Sequence, residues 1–138
     1  MKRLHVNIHV NNVNESLNFY NALFNEQPTV TKEDYAKWML EDPSVNFSIS
    51  LAKGEVGVAH LGIQAENVAE LDELYKNIEN ADAKMREEGH TVCCYAQSEK
   101  AWVKDPQNVE WEAFHTYGEA AVNKNEETSC CDDTCCPA

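Results

Sequence analysis

Leu4, Val6, Ile8 and Val10 alternate with His5, Asn7, His9 and Asn11. That period of two predicts a strand with one apolar face for a core and one polar face for water or a site. Asn12 and Asn14 then offer helix caps. Leu17, Tyr20, Leu23 and Phe24 recur at helical spacing, which predicts an amphipathic helix over 15–24. Residues 25–32 read as a connection, because Pro28 excludes a helix interior. Two strands are predicted over 35–40 and 46–51, joined by a turn at Glu41-Asp42-Pro43-Ser44.

After a Gly54/Gly57 linker the pattern begins again. Ala59 to Ala65 alternates with His60, Gly62 and Gln64 on its polar face. Asn67 with Glu70 three residues later resembles a capping box. Leu71, Leu74, Tyr75, Ile78 and Met85 share a helical face, and Gly89 can end that helix. Strands are predicted over 92–97, 101–104 and 109–116, with Asp105-Pro106 as a turn. Residues 4–23 superimpose on 59–78 without a gap: His5 meets His60, Asn12 meets Asn67, Glu15 meets Glu70 and Tyr20 meets Tyr75. Leu40-Glu41-Asp42-Pro43 echoes Val103-Lys104-Asp105-Pro106. The chain is therefore read as α+β, two tandem βαβββ modules over about 1–54 and 57–118.

Residues 119–138 lack a periodic apolar face and predict a flexible, acidic, cysteine-rich tail. The 138 residues carry 24 acids against 11 bases, a net charge of -13, which disfavours nucleic acid as a partner. Met1-Lys2-Arg3 leads straight into an alternating pattern rather than an apolar run, so the expected compartment is the cytoplasm, with no membrane association. The expected assembly is a monomer or homodimer.

The six cysteines form three adjacent pairs, 93/94, 130/131 and 135/136. Neighbouring cysteines are strained disulfide partners, and a cytosolic chain is kept reduced. Three doublets therefore read as ligands for a soft ion. If a pseudo-twofold relates the halves, His5 and His60 enter one concavity from symmetric positions. Glu112, alternating with Trp111 and Ala113 in the final strand, can join them. Ser48 and Ser50 fall near the matching place in the first half and are poor metal ligands. Two imidazoles and one carboxylate with open positions form the facial triad of non-haem Fe(II) oxygenases. His9 is a weaker candidate; His90 and His115 are expected bystanders.

Duplicated βαβββ halves with His, His and Glu resemble the vicinal oxygen chelate superfamily, which includes glyoxalase I, extradiol dioxygenases and bleomycin-resistance proteins. Within it, Thr91-Val92-Cys93-Cys94-Tyr95-Ala96, Lys100-Ala101-Trp102-Val103 and Trp111-Glu112 are similar to the ArsI/CadI group of organoarsenical carbon–arsenic lyases and cadmium-induced proteins. The resemblance covers residues 2–117. It implies a vicinal-oxygen-chelate (glyoxalase-like) domain with Fe(II) on His5, His60 and Glu112 and O2 as co-substrate. It further implies that Cys93 and Cys94 hold the arsenic of a trivalent organoarsenical while the carbon–arsenic bond is cleaved. The tail is similar to cysteine-rich extensions in that group, so Cys130, Cys131, Cys135 and Cys136 are expected to bind soft metal as auxiliaries. Two other readings stand beside this one. The first is a non-catalytic binder of cadmium or arsenite; the second is a glyoxalase-like metalloenzyme. Consecutive cysteines in a regular strand point to opposite faces, so an arsenic held by both predicts an irregular, mobile segment over about 93–100.

Overall fold

Both helices start at the predicted asparagines. In the computed structural model, which describes residues 1–93 and 96–119, Asn12 and Asn67 are extended N-caps. Each accepts through its side-chain oxygen from the backbone N–H three residues on, Glu15 and Glu70 respectively, at 2.9 Å. This satisfies a donor that a helix start leaves free. The elements in order are β1 (Arg3–Val10), α1 (Val13–Phe24), β2 (Val30–Lys32), β3 (Tyr35–Glu41), β4 (Ser44–Leu51), β5 (Gly57–Ala65), α2 (Val68–Asn80), β6 (Arg86–Cys93), β7 (Ala96–Lys104) and β8 (Glu110–Glu119).

The strands form one eight-stranded sheet in the order β2-β3-β4-β1-β5-β8-β7-β6. Each half contributes the same motif in mirrored sequence along the sheet. β1 pairs in parallel with β4, β5 pairs in parallel with β8, and β1 and β5 meet antiparallel at the centre. The central pairing sets His5 opposite Gly62 and Asn7 opposite His60. That reciprocity is what a twofold between the two strands requires.

The helices cover one face of the sheet and leave the other polar. α1 lays Val13, Leu17, Tyr20 and Phe24 on a cluster holding Trp38, Phe47 and Ile49. Trp38 is fully buried, and its indole N–H donates to Asn21 Oδ1 at 3.1 Å. Truncation of such a side chain costs about 3–5 kcal/mol. α2 packs Leu71 and Leu74 on Ala65 and Ala113, with Ile63, Tyr75 and Ile78 around them. The opposite face buries His5, Asn7, His9, Asn46, Ser48, His60, Ser98, Lys100 and Glu112. So many buried polar groups on one face mark a site rather than a core.

Several sequence expectations differ from the structure. The second helix does not run to Met85 and Gly89: it ends at Asn80 with Ala81 as its C-cap, and residues 86–93 form β6. The segment 81–88 is rich in good helix formers, but pairing along β7 overrides that propensity. Gly89, at φ 63°, sits at a register shift in the β6–β7 ladder. The connection over 25–32 contains the short strand β2, at the far edge of the sheet. The strand expected over 92–97 is two strands, since Cys93 ends β6 and pairs with Ala96 at the start of β7. β7 then runs to Lys104, and of the irregularity expected over 93–100 the described residues show a register shift against β8 between Gln97 and Ser98. The Asp-Pro echo also differs in detail. Asp42-Pro43 alone links β3 to β4, whereas 105–109 links β7 to β8.

Candidate metal centre

β1, β5 and β8 are adjacent, with parallel register between β5 and β8 placing Gly62 beside Glu112. Alternation aims His5, His60 and Glu112 at the same side. Their ligand atoms lie within 4.8 Å of one another, and all three side chains are buried. The Nε2 atoms of His5 and His60 are 3.0 Å apart. Glu112 Oε1 is 3.6 Å from His5 Nε2 and 3.5 Å from His60 Nε2. Two nitrogens each about 2.1 Å from one ion and at right angles would stand about 3 Å apart. The donor set and its spacing therefore fit a divalent metal. A buried His-His-Glu group of this kind could hold one, with further coordination positions open.

The histidines are prepared for that role. His5 Nδ1 lies 3.0 Å from the Asn46 carbonyl, which can only accept, so Nδ1 carries the proton and Nε2 keeps its lone pair. Burial, then the neighbouring His60, pulls the His5 pKa down to about 4, with Glu112 opposing. His5 is thus neutral near pH 7 and available as a ligand. Its ring packs edge-on against Phe114 at 5.1 Å, and His60 packs edge-on against Trp102 at 5.0 Å. His60 Nδ1 is buried without a hydrogen-bond partner among the described residues.

Glu112 has one oxygen on each side of this arrangement. While Oε1 faces the imidazoles, Oε2 accepts from Lys100 Nζ at 2.6 Å. Burial alone would raise the Glu112 pKa. The Lys100 ammonium first, then His60 and His5, overcomes burial and holds the carboxyl well below the usual carboxylate range. The sequence pattern gives Lys100 a place in a motif but no role, because the strand it predicts begins at Ala101 and β7 begins at Ala96. Ser98, Lys100 and Trp102 in fact alternate on the face that carries Glu112, and a lysine between a serine and a tryptophan on an inward face was the available signal.

Ser48 occupies the first-half place expected for it and takes a hydrogen bond from Asn7 Nδ2 at 2.8 Å; Ser50 takes a second at 3.1 Å. Together with Asn46, whose Nδ2 donates to Gln64 Oε1 at 3.1 Å, they build a neutral polar wall. His9 lies buried on the same face of β1 as His5, and its pKa is lowered by burial and then by His60. It is not among the three grouped donors. His115 points away from them, with Nδ1 3.2 Å from the Ala65 carbonyl. Cys93 ends β6, while Cys94 and the four tail cysteines, Cys130, Cys131, Cys135 and Cys136, lie outside the described residues. No described helix is long and apolar enough to cross a membrane.

Residues 2–113 match the Glyoxalase/Bleomycin resistance protein/Dioxygenase superfamily, and the chain belongs to it. It is 39% identical over 135 residues to a trivalent organoarsenical cleaving enzyme of Bacillus sp. (strain MD1), covering 95% of this chain and 83% of that protein. It is 26% identical to the cadmium-induced protein CadI of Mycobacterium tuberculosis (H37Rv), covering 96% of this chain and 94% of that one. Its fold is similar to homoprotocatechuate 2,3-dioxygenase from Arthrobacter globiformis, with a TM-score of 0.60 at 16% identity, over 86% of this chain and 36% of that one. That likeness supports the glyoxalase-like α+β architecture of two βαβββ modules.

Proposed function

We propose that this member of the superfamily is an Fe(II)-dependent dioxygenase that cleaves the carbon–arsenic bond of trivalent organoarsenicals and releases arsenite. The observation that carries the reading is the convergence of His5, His60 and Glu112 in a chain 39% identical to an organoarsenical cleaving enzyme. Bound Fe(II) would supply an open position for O2. The residues of the chain do the remaining work. His5 and His60 offer Nε2, their rings fixed by Phe114 and Trp102. Glu112 offers Oε1 as the anionic ligand.

Cys93 and Cys94 take the arsenic. Trivalent arsenic is softer than the borderline ferrous ion and has the stronger preference for thiolate, so substrate and metal are sorted by ligand type. Holding arsenic by two sulfurs fixes the third substituent in place, and the gain is one of proximity. Free thiols require a reducing compartment, which agrees with a cytoplasmic location. The tail doublets, Cys130 with Cys131 and Cys135 with Cys136, serve as auxiliary soft-metal ligands.

The test is arsenite release from methylarsenite by the Fe(II)-loaded protein in air, against an anaerobic control. Cys93→Ser and Cys94→Ser should each suppress release and leave iron content nearly unchanged. Loss of iron from either variant would make the thiols metal ligands. Sequestration of the soft ion would then replace cleavage as the function.

A further inference from the structure

Glu112 is held at both ends. Oε1 stands 3.5 and 3.6 Å from the two imidazole nitrogens, and Oε2 sits 2.6 Å from Lys100 Nζ. Both side chains of the ion pair are only 5–6% exposed. The ammonium reaches this spot from β7, where Lys100 pairs with Phe114, two residue pairs along from Trp102 and Glu112 and on the same face. Its Nζ also stands 5.8 Å from the centroid of the Trp102 ring. A carboxylate can ligate a metal through one oxygen or through both. Chelation by both would set the divalent ion and the Lys100 ammonium on the same oxygen, Oε2, where their like charges repel at short range. The pair therefore allows one mode and resists the other.

We propose that Lys100 is a positioning residue that keeps Glu112 monodentate and so preserves an open coordination position on the metal. The inference rests on the metal-centre reading above and adds a cost to it. A buried ammonium beside a divalent ion is a like charge at short range, and in a partly desolvated site it opposes metal binding. A site built only to bind metal tightly would have no use for it. A site that must leave room for further ligands gives up affinity to keep that room. Three protein donors on a six-coordinate ion leave three positions; a chelating Glu112 would leave two.

Mn(II) is the probe, because it prefers carboxylate, imidazole and water over thiolate and so reads this centre in the full chain despite its six cysteines. Lys100→Met removes charge and donor and leaves an apolar chain of similar length. It should tighten Mn(II) binding by roughly tenfold, the scale of one lost like-charge repulsion. The water-proton relaxivity per bound Mn(II) should fall by about a third as one water ligand is replaced by Oε2. Lys100→Arg, which keeps both charge and donor, should restore wild-type values for both. If Lys100→Met does not fold, Lys100→Gln gives the same reading, since its shorter neutral side chain cannot hold Oε2. Weaker or unchanged Mn(II) affinity with unchanged relaxivity in the neutral variant overturns the inference and leaves the centre standing. Wild-type protein whose Mn(II) uptake is unaffected by His60→Ala overturns the centre, and the inference with it.

Discussion

In the first half of the chain Ser48 stands where the second half has Glu112. Asn7 pairs with Ser48 across β1 and β4, Gly62 pairs with Glu112 across β5 and β8, and Asn7 and Gly62 are related by the offset that carries His5 onto His60. The same register carries Tyr35, opposite Ser50, onto Lys100, opposite Phe114. Both halves thus supply one imidazole from their first strand. Only the second adds a carboxylate, and the ammonium that steadies it. The first half fills the equivalent space with small neutral groups, Asn7 bonded to Ser48 and Ser50. Duplication explains why two histidines meet at the centre. Divergence of the flanking strands explains why the metal would be gripped from one side and left open on the other.

The most direct way to break this comparison is to make the second half copy the first. Glu112→Ser should abolish metal binding at the centre, because the anionic ligand is gone and only two imidazoles remain. It should also destabilise the fold by about 3–5 kcal/mol, since Lys100 is left buried and unpaired. Urea unfolding of Glu112→Ser combined with Lys100→Met separates the two effects. The second substitution should recover most of the stability and none of the metal. If Glu112→Ser alone still binds one Mn(II) per chain, the asymmetry assigned to Glu112 is wrong.

A milder change tests why the halves differ at their central strands. Asn7 carries a side chain beside Ser48 and donates to its hydroxyl at 2.8 Å. At Gly62 a Cβ would come within 2.6 Å of the Glu112 carbonyl oxygen, 3.1 Å of Glu112 Cβ and 3.3 Å of His5 Cδ2. The backbone atom cannot swing aside as a side-chain tip can. Gly62→Ala should cost about 1–3 kcal/mol as an overpacked site and weaken Mn(II) binding by shifting two of the three ligands. Asn7→Gly, its counterpart, should leave the ligand distances alone. Equal metal affinity in Gly62→Ala and wild type would show that the close approach does not set the geometry.

Much of this was legible in the alternation of Leu4–Asn11 and its return at Ala59–Ala65, because a period of two fixes which residues share a face. With a pseudo-twofold between the halves and the same alternation in the final strand, it brings His5, His60 and Glu112 to one side. The helix starts were legible because an Asn cap is local chemistry. The edges were not. β2 and β6 lie at the two ends of the sheet, and an edge strand is stabilised by pairing on one side rather than by an apolar face of its own. Arg86-Glu87-Glu88 reads as helix for that reason, since charged residues belong on sheet edges as readily as on helix surfaces. The role of Lys100 was missed on a related ground. Its meaning depends on Glu112, twelve residues along the chain and across β7 and β8, and no single strand's pattern contains that pair.

The smallest expected difference lies in the scaffold, where the halves are nearly the same. Asn12 and Asn67 each cap a helix by an equal 2.9 Å bond, so Asn→Ala at either should cost about 1 kcal/mol. The second cap has a reinforcement, because Glu70 Oε1 accepts from the Glu66 backbone N–H at 2.8 Å and holds the entry turn when the Asn is gone. Asn67→Ala should therefore lose slightly less than Asn12→Ala, and neither should alter Mn(II) affinity, since both caps sit on helices that cover the face away from the ligands. Thermal unfolding with bound and free metal measures all three quantities. A larger loss at Asn67, or a metal affinity that follows either cap, would mean that the scaffold and the centre are coupled through α2 and that the halves divide their work less cleanly than His5, His60 and Glu112 suggest.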